Sequence, residues 1–296
     1  MKKQSGKHFF TGLAVAIGIS TAMLSPLSVW AGETVIAFEP PANSNFNNLG
    51  WIDLSSQVQQ NITDQKYAEA LGIFVWYYNN GLKYHPAEYG VRNSFCLAEW
   101  IEFGEVYPPA LAELQKIRDA KEKLFLDNKI AMSYPGANAD GTPRDWQQNP
   151  PKSEEESMLQ LDQAKGDTPI FHDIEAINGC LNTPQKTIVL FLQIEQNNPA
   201  MAQKIWRFAE DTVLEQKDYA TAAHYIPDVK AEWKRRADMF QNDMQRKMSK
   251  EQYKHFKEAM IRILTDRANQ LSALARYQNH PQDAEEIQNE LKELIK

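Results

Sequence analysis

Three dipeptides set the frame of this chain. Thr168-Pro169, Thr183-Pro184 and Asn198-Pro199 recur at intervals of 15 residues. Each places a helix-capping residue before a proline, which costs no hydrogen bond in a first turn. That interval holds one helix of about three turns plus a short connection. Within the intervals, apolar residues return every three or four positions: Ile170, Ile174 and Ile177, then Ile188, Phe191, Leu192 and Ile194, then Met201, Ile205, Phe208 and Thr212. Such spacing gives each helix one buried face. No segment alternates at period two for long enough to make a strand, so the sequence predicts an all-α protein.

The same period runs through the rest. Trp51, Leu54, Val58 and Ile62 form one stripe, and Tyr67, Ala70, Leu71, Phe74 and Tyr77 or Tyr78 the next. His85-Pro86 marks a boundary, because the residue before proline avoids helical geometry. Val91 to Phe103 follows, with Phe95 and Trp100 expected in the core. Pro108-Pro109 opens a helix striped by Leu111, Leu114, Ile117, Ala120 and Leu124. Further on, Asp218 to Ile226 is a short helix stopped at Pro227, and Asp228 to Met248 carries Trp233, Ala237 and Phe240. Ser249 with Gln252 makes a capping box for a long helix bearing Ile263, Leu264, Leu271 and Leu274. A last helix is expected from Asp283. Between the two helical parts, residues 133–167 are crowded with turn signals such as Pro135-Gly136 and Asn149-Pro150-Pro151. The organisation is therefore 1–31 leader, 32–50 linker, 51–132 helices, 133–167 loop and 168–296 helices.

The leader has the three parts of a secretory signal. Lys2, Lys3 and Lys7 precede an apolar run from Phe9 to Leu24, and Val29 with Ala31 supplies a cleavage site between Ala31 and Gly32. A periplasmic or secreted protein is expected, with no membrane span left after cleavage. The whole chain has 32 basic and 39 acidic residues, and three of the basic ones belong to the leader. That balance repels phosphate backbones and excludes nucleic acid as the expected partner. Cys96 and Cys180 permit one disulfide in an oxidising compartment, or serve as small core hydrophobes. No GxGxxG, P-loop or GxSxG is present, which removes the commonest enzyme motifs.

Two segments share a shape. Asp64 to Leu71 and Glu215 to Ala223 each run from polar turn residues to a tyrosine and then an alanine three later: Tyr67 with Ala70, Tyr219 with Ala222. This resembles the second helix of a tetratricopeptide repeat, where the alanine lets paired helices approach closely. The sequence departs from the repeat at Pro86, about one turn late, and at Trp51 and Leu54, which lie far from Tyr67. The resemblance implies antiparallel helix pairs stacked as an α-solenoid. It also implies a concave face holding a protein or peptide partner, without catalysis or cofactor.

Two polar groups are candidates for chemistry. Arg92, Asn93 and Glu99 stand on the more polar side of their helix and are expected to line a partner-binding groove. His172 and Glu175, three apart on one helical face, could hold a metal. They are the basis of an alternative reading, an all-α metal-dependent enzyme. Two ligands do not complete a metal site, and a partly exposed His172 with Asp173 and Glu175 favouring the helix N-terminus is the simpler expectation.

Overall fold

A first-turn proline or a side-chain cap opens several of the helices. The computed structural model describes residues 35–40, 49–85, 88–127, 132–134, 168–245 and 249–296. The leader, its cleavage site at Ala31 and Gly32, Pro86 and almost all of 133–167 lie outside the described residues. The first helices are α1 (Trp51–Thr63), α2 (Tyr67–Tyr84), α3 (Tyr89–Val91), a π-helical turn (Arg92–Cys96), α4 (Leu97–Val106) and α5 (Pro109–Leu126). After them come α6 (Ile170–Cys180), α7 (Pro184–Asn197), α8 (Pro199–Glu215), α9 (Tyr219–Tyr225), α10 (Val229–Met244), α11 (Lys250–Tyr277) and α12 (Pro281–Leu294). Asn198, Asp218 and Asp228 each accept the backbone N–H three residues on, and Ser249 with Gln252 closes the expected capping box. α12 starts at Pro281, two residues before the expected Asp283.

Of the three dipeptides only Asn198-Pro199 caps through its side chain. Thr183 precedes α7, but its hydroxyl donates back to the Asn178 carbonyl, and Thr168-Pro169 forms β2, paired antiparallel with β1 (Met132–Tyr134). α6 starts only at Ile170. Apart from this short ladder, the described elements are helical. None of the described helices is long and apolar enough to cross a membrane.

Four connections share one geometry. Gln65, Asn182, Lys217 and Asn279 have φ of 60°, 54°, 60° and 63°, in the turns α1–α2, α6–α7, α8–α9 and α11–α12. In each, the next residue's N–H reaches back five positions: Lys66 to Asn61, Thr183 to Asn178, Asp218 to Val213 and His280 to Ala275. The left-handed residue itself donates three positions back, completing a Schellman closure that satisfies the last carbonyls of the helix. Five residues after the left-handed position sits a small buried residue every time: Ala70, Thr187, Ala222 and Ala284, all 1% exposed or less. Small side chains there let the second helix lie close against the first.

Burial follows the predicted stripes with informative exceptions. Phe95 is 58% exposed, Leu192, Ile263 and Ala120 are exposed too, and Arg92 is buried. Arg92, Cys96 and Trp100 are spaced by four and share the face that packs inward; Phe95 lies off that stripe. On α5 the inward face runs through Leu114, Ile117, Arg118 and Phe125, leaving Ala120 outside. Helices on either side of 133–167 join one core. Phe125 packs against Phe171 at 6.3 Å between ring centroids, and Phe171 against Phe191 at the same separation. An extended segment, residues 35–40, lies on α2 over Gly72 and Trp76.

Candidate functional site

Asp173 is the centre of a buried polar node. It sits on the isoleucine stripe of α6, three residues after Ile170 and four before Ile177, so the packing that buries those isoleucines buries it as well. Its Oδ1 accepts from Arg92 Nη2 at 2.5 Å and from Asn93 Nδ2 at 3.0 Å, and its Oδ2 from Lys121 Nζ at 2.9 Å. Arg92 Nη1 also donates to the Tyr78 carbonyl, and Tyr78 Oη donates to Asn93 Oδ1 at 3.2 Å. Both cations face the Tyr78 ring, at 4.8 Å for Arg92 and 5.4 Å for Lys121. The π-helical turn, α2, α5 and α6 thus each supply one part.

Charge decides what the node can do. Two cations surround one carboxylate away from water, where an isolated charge is costly and a shared partner offsets that cost. Burial opposes the Arg92 charge, but Asp173 and Tyr78 carry the guanidinium above its ordinary value. For Lys121 burial prevails over Asp173 and holds the ammonium below the usual lysine range. The node is a clasp between the first helices and α6. A second buried link lies beside it: Arg118 Nη1 donates to Asn178 Oδ1 at 3.3 Å, and Asn178 Nδ2 to Thr187 Oγ1 at 3.1 Å.

Arg92 and Asn93 therefore come together, but inside the protein rather than along an open polar side. Glu99 does not join them. It accepts from Trp51 Nε1 at 3.1 Å and fastens α1 to α4, and burial raises its carboxyl above the ordinary range. Arg118 and Lys121 escaped the sequence reading, and Asp173, expected to favour the helix N-terminus, is instead fully buried; each lies at helical spacing from two apolar stripe residues.

His172 and Glu175 are brought close on α6, with His172 Nδ1 at 3.8 Å from Glu175 Oε2. The imidazole lies against Phe208 and Tyr89, and its Nδ1 is buried with no hydrogen-bond partner. Burial pushes the His172 pKa down. It pushes the Glu175 carboxyl up to about 7, against the hydrogen bond from Thr212 and with help from Asp211 and Glu215. At neutral pH His172 is largely neutral and Glu175 about half ionised, so the two do not make an ion pair. Among the described residues no group of three or more His, Cys, Asp or Glu could hold a metal. Cys96 and Cys180 are free thiols, Cys96 buried and Cys180 partly so. In the basic run of α10, Lys234 and Arg235 are exposed, while Arg236 turns toward Glu210 and Glu232.

The outer surface carries an open groove of about 560 Å³ between α5 and α7, walled by Asp119, Glu122, Lys123 and Asp127 on one side and Gln185, Lys186 and Val189 on the other. Val189 is 64% exposed. Asp119 accepts from Arg118, so one wall is anchored to the buried Arg118–Asn178 link. No known protein family matches this chain, and no curated protein or solved structure matches it significantly.

Proposed function

We propose that this chain is an exported interaction module: a stack of tetratricopeptide-like helix pairs that binds a protein or peptide partner and carries out no catalysis. It would serve the bacterial envelope as an adaptor, a chaperone-like holder or an assembly factor. The observation that carries this reading is the groove between α5 and α7. It is open, lined by both charge signs, and presents Val189 and Leu126 beside the charges, the mixture a partner helix with an apolar edge would complement. The recurring Schellman-closed hairpins support the repeat architecture, as two of them carry the tyrosine-alanine pattern.

A photo-crosslinking residue at Val189 tests it, compared with the same residue at Glu285, which is exposed on α12. A discrete adduct from position 189 alone is expected in envelope preparations. It should disappear on charge reversal by Glu122→Lys and Lys186→Glu, with melting unchanged. Identical adducts from both positions, or none from position 189, reject the groove. Export is tested separately by sequencing the mature N-terminus, expected at Gly32.

The second reading, an all-α enzyme, is favoured by one observation: the raised Glu175 carboxyl beside His172, since perturbed carboxylates cluster at functional sites. Stoichiometric metal in the purified protein, lost in Glu175→Gln, would support it.

A further inference from the structure

The extended residues 35–40 make an unusual approach to α2. A Cβ on Gly72 would collide with the carbonyl oxygen of Ile36 and press on Phe38 N at 3.3 Å. Only glycine lets a strand lie this close to a helix. Four residues on, Trp76 stacks edge to face with Phe38 at 5.4 Å between centroids and 74° between planes. Gly72 and Trp76 share one helical face, so the gap left by the missing side chain and the half-buried indole form a single seat. Ile36 keeps its side chain half exposed while its carbonyl faces the helix. The backbone of 35–40 makes no backbone–backbone hydrogen bond to another described residue. Its aromatic pair with Trp76 and the close backbone approach at Gly72 seat it on the helix.

We propose that the Gly72–Trp76 face of α2 is a peptide-binding site. Its ligand is an extended segment with no charge at the seated positions and an aromatic residue two places after the carbonyl that enters the glycine gap. Residues 35–40 are its resident self-ligand. A partner segment of the same pattern displaces them, because the seat recognises backbone shape at Gly72 and one ring at Trp76 rather than a long sequence. The tether gives the resident segment an effective concentration on the order of millimolar, so a free peptide competes only when abundant or when the resident ring is weakened. This site is separate from the α5–α7 groove and stands or falls without it.

The test uses the full chain and a labelled Val-Ile-Ala-Phe-Glu-Pro peptide copied from residues 35–40, titrated to millimolar concentration. Phe38→Ala weakens the self-ligand and leaves the seat intact. The peptide should bind this variant about twofold to tenfold more tightly than the unaltered chain, the range one aromatic pair supplies. Phe38→Ala combined with Trp76→Ala should not bind, nor should a peptide with alanine for phenylalanine. Equal binding to Phe38→Ala and the unaltered chain, or binding that survives Trp76→Ala, overturns the proposal. Should Phe38→Ala fail to fold, Gly72→Ala gives the second measurement. Amide exchange over residues 36–39 must accelerate there while α2 stays protected, and unchanged protection overturns the proposal equally.

Discussion

Lys121 and Asp173 are 52 residues apart in the chain and 2.9 Å apart in the structure, and Arg92 grips the other oxygen of the same carboxylate. Asp173→Asn therefore strands two buried cations at once. We predict a loss of about 3–5 kcal/mol in urea unfolding, the cost of breaking a buried pair from one side. Lys121→Met should cost less, because Arg92 and Asn93 remain to hold the carboxylate. A cost for Asp173→Asn below about 1 kcal/mol, the range of exposed pairs, would mean that water reaches the node.

Glu175 and His172 pull stability in opposite directions with pH. The Glu175 carboxyl is raised from 4.5 to about 7, so its contribution is complete below pH 4.5 and is lost as pH rises through 7. His172 is held below 6.5, so its contribution is complete above that value and is lost as pH falls through the folded one. Below pH 6.5 the two slopes oppose and partly cancel, and the Glu175 loss runs on alone to about pH 7. Glu175→Gln should remove the fall that ends there, recovering at most about 3 kcal/mol by pH 8. Melting curves across pH 5 to 9 check it, and a fall toward pH 7 unchanged in the variant would count against a buried carboxyl.

The left-handed turn residues differ in kind. Gln65 and Lys217 carry long side chains at φ 60°, a region that asparagine enters more easily. Gln65→Gly and Lys217→Gly should each stabilise by about 0.5–1 kcal/mol, net of the glycine's greater freedom when unfolded. The same change at Asn182 or Asn279 should gain less. Denaturation midpoints of the four variants provide the comparison.

Both thiols should react slowly. Burial pushes Cys180 up to about 11 and Cys96 well above the ordinary thiol range. At pH 8 Cys180 is then a thiolate only about one time in a thousand, which predicts alkylation on the order of a hundredfold slower than for a free cysteine. Cys96 should stay unlabelled until the chain unfolds. Rapid labelling of Cys96 in native protein would show that the π-helical turn opens locally.

Apolar spacing and caps made most of the helices legible, because both act within a few residues. Ser249 with Gln252 and Asn198 before Pro199 behave as the sequence predicts. The tyrosine-alanine pattern located two of the four alike turns. Those at Asn182 and Asn279 were hidden because proline, not tyrosine, follows the turn. The candidate site was harder for a different reason. A stripe counted by hydrophobicity treats Arg92, Arg118, Lys121 and Asp173 as interruptions, yet each occupies an inward position. Buried charges of opposite sign on separate helices become intelligible only together, and their pairing across 133–167 is a long-range fact that no local period contains. The ladder at Thr168-Pro169 is non-local in the same sense, and it took a dipeptide that by itself reads as a cap.

The Schellman-closed hairpins and the clasp also impose an order on assembly. Each hairpin joins neighbouring helices, so it can close as soon as its second helix exists, and such local contacts form fast. The clasp cannot. Arg92 emerges 81 residues before the carboxylate it needs, and in a chain that appears N-terminus first those cations wait, hydrated, until α6 is made. Early helices without Asp173 should therefore be helical but loosely packed, and the arrival of that one carboxylate should be the event that locks them.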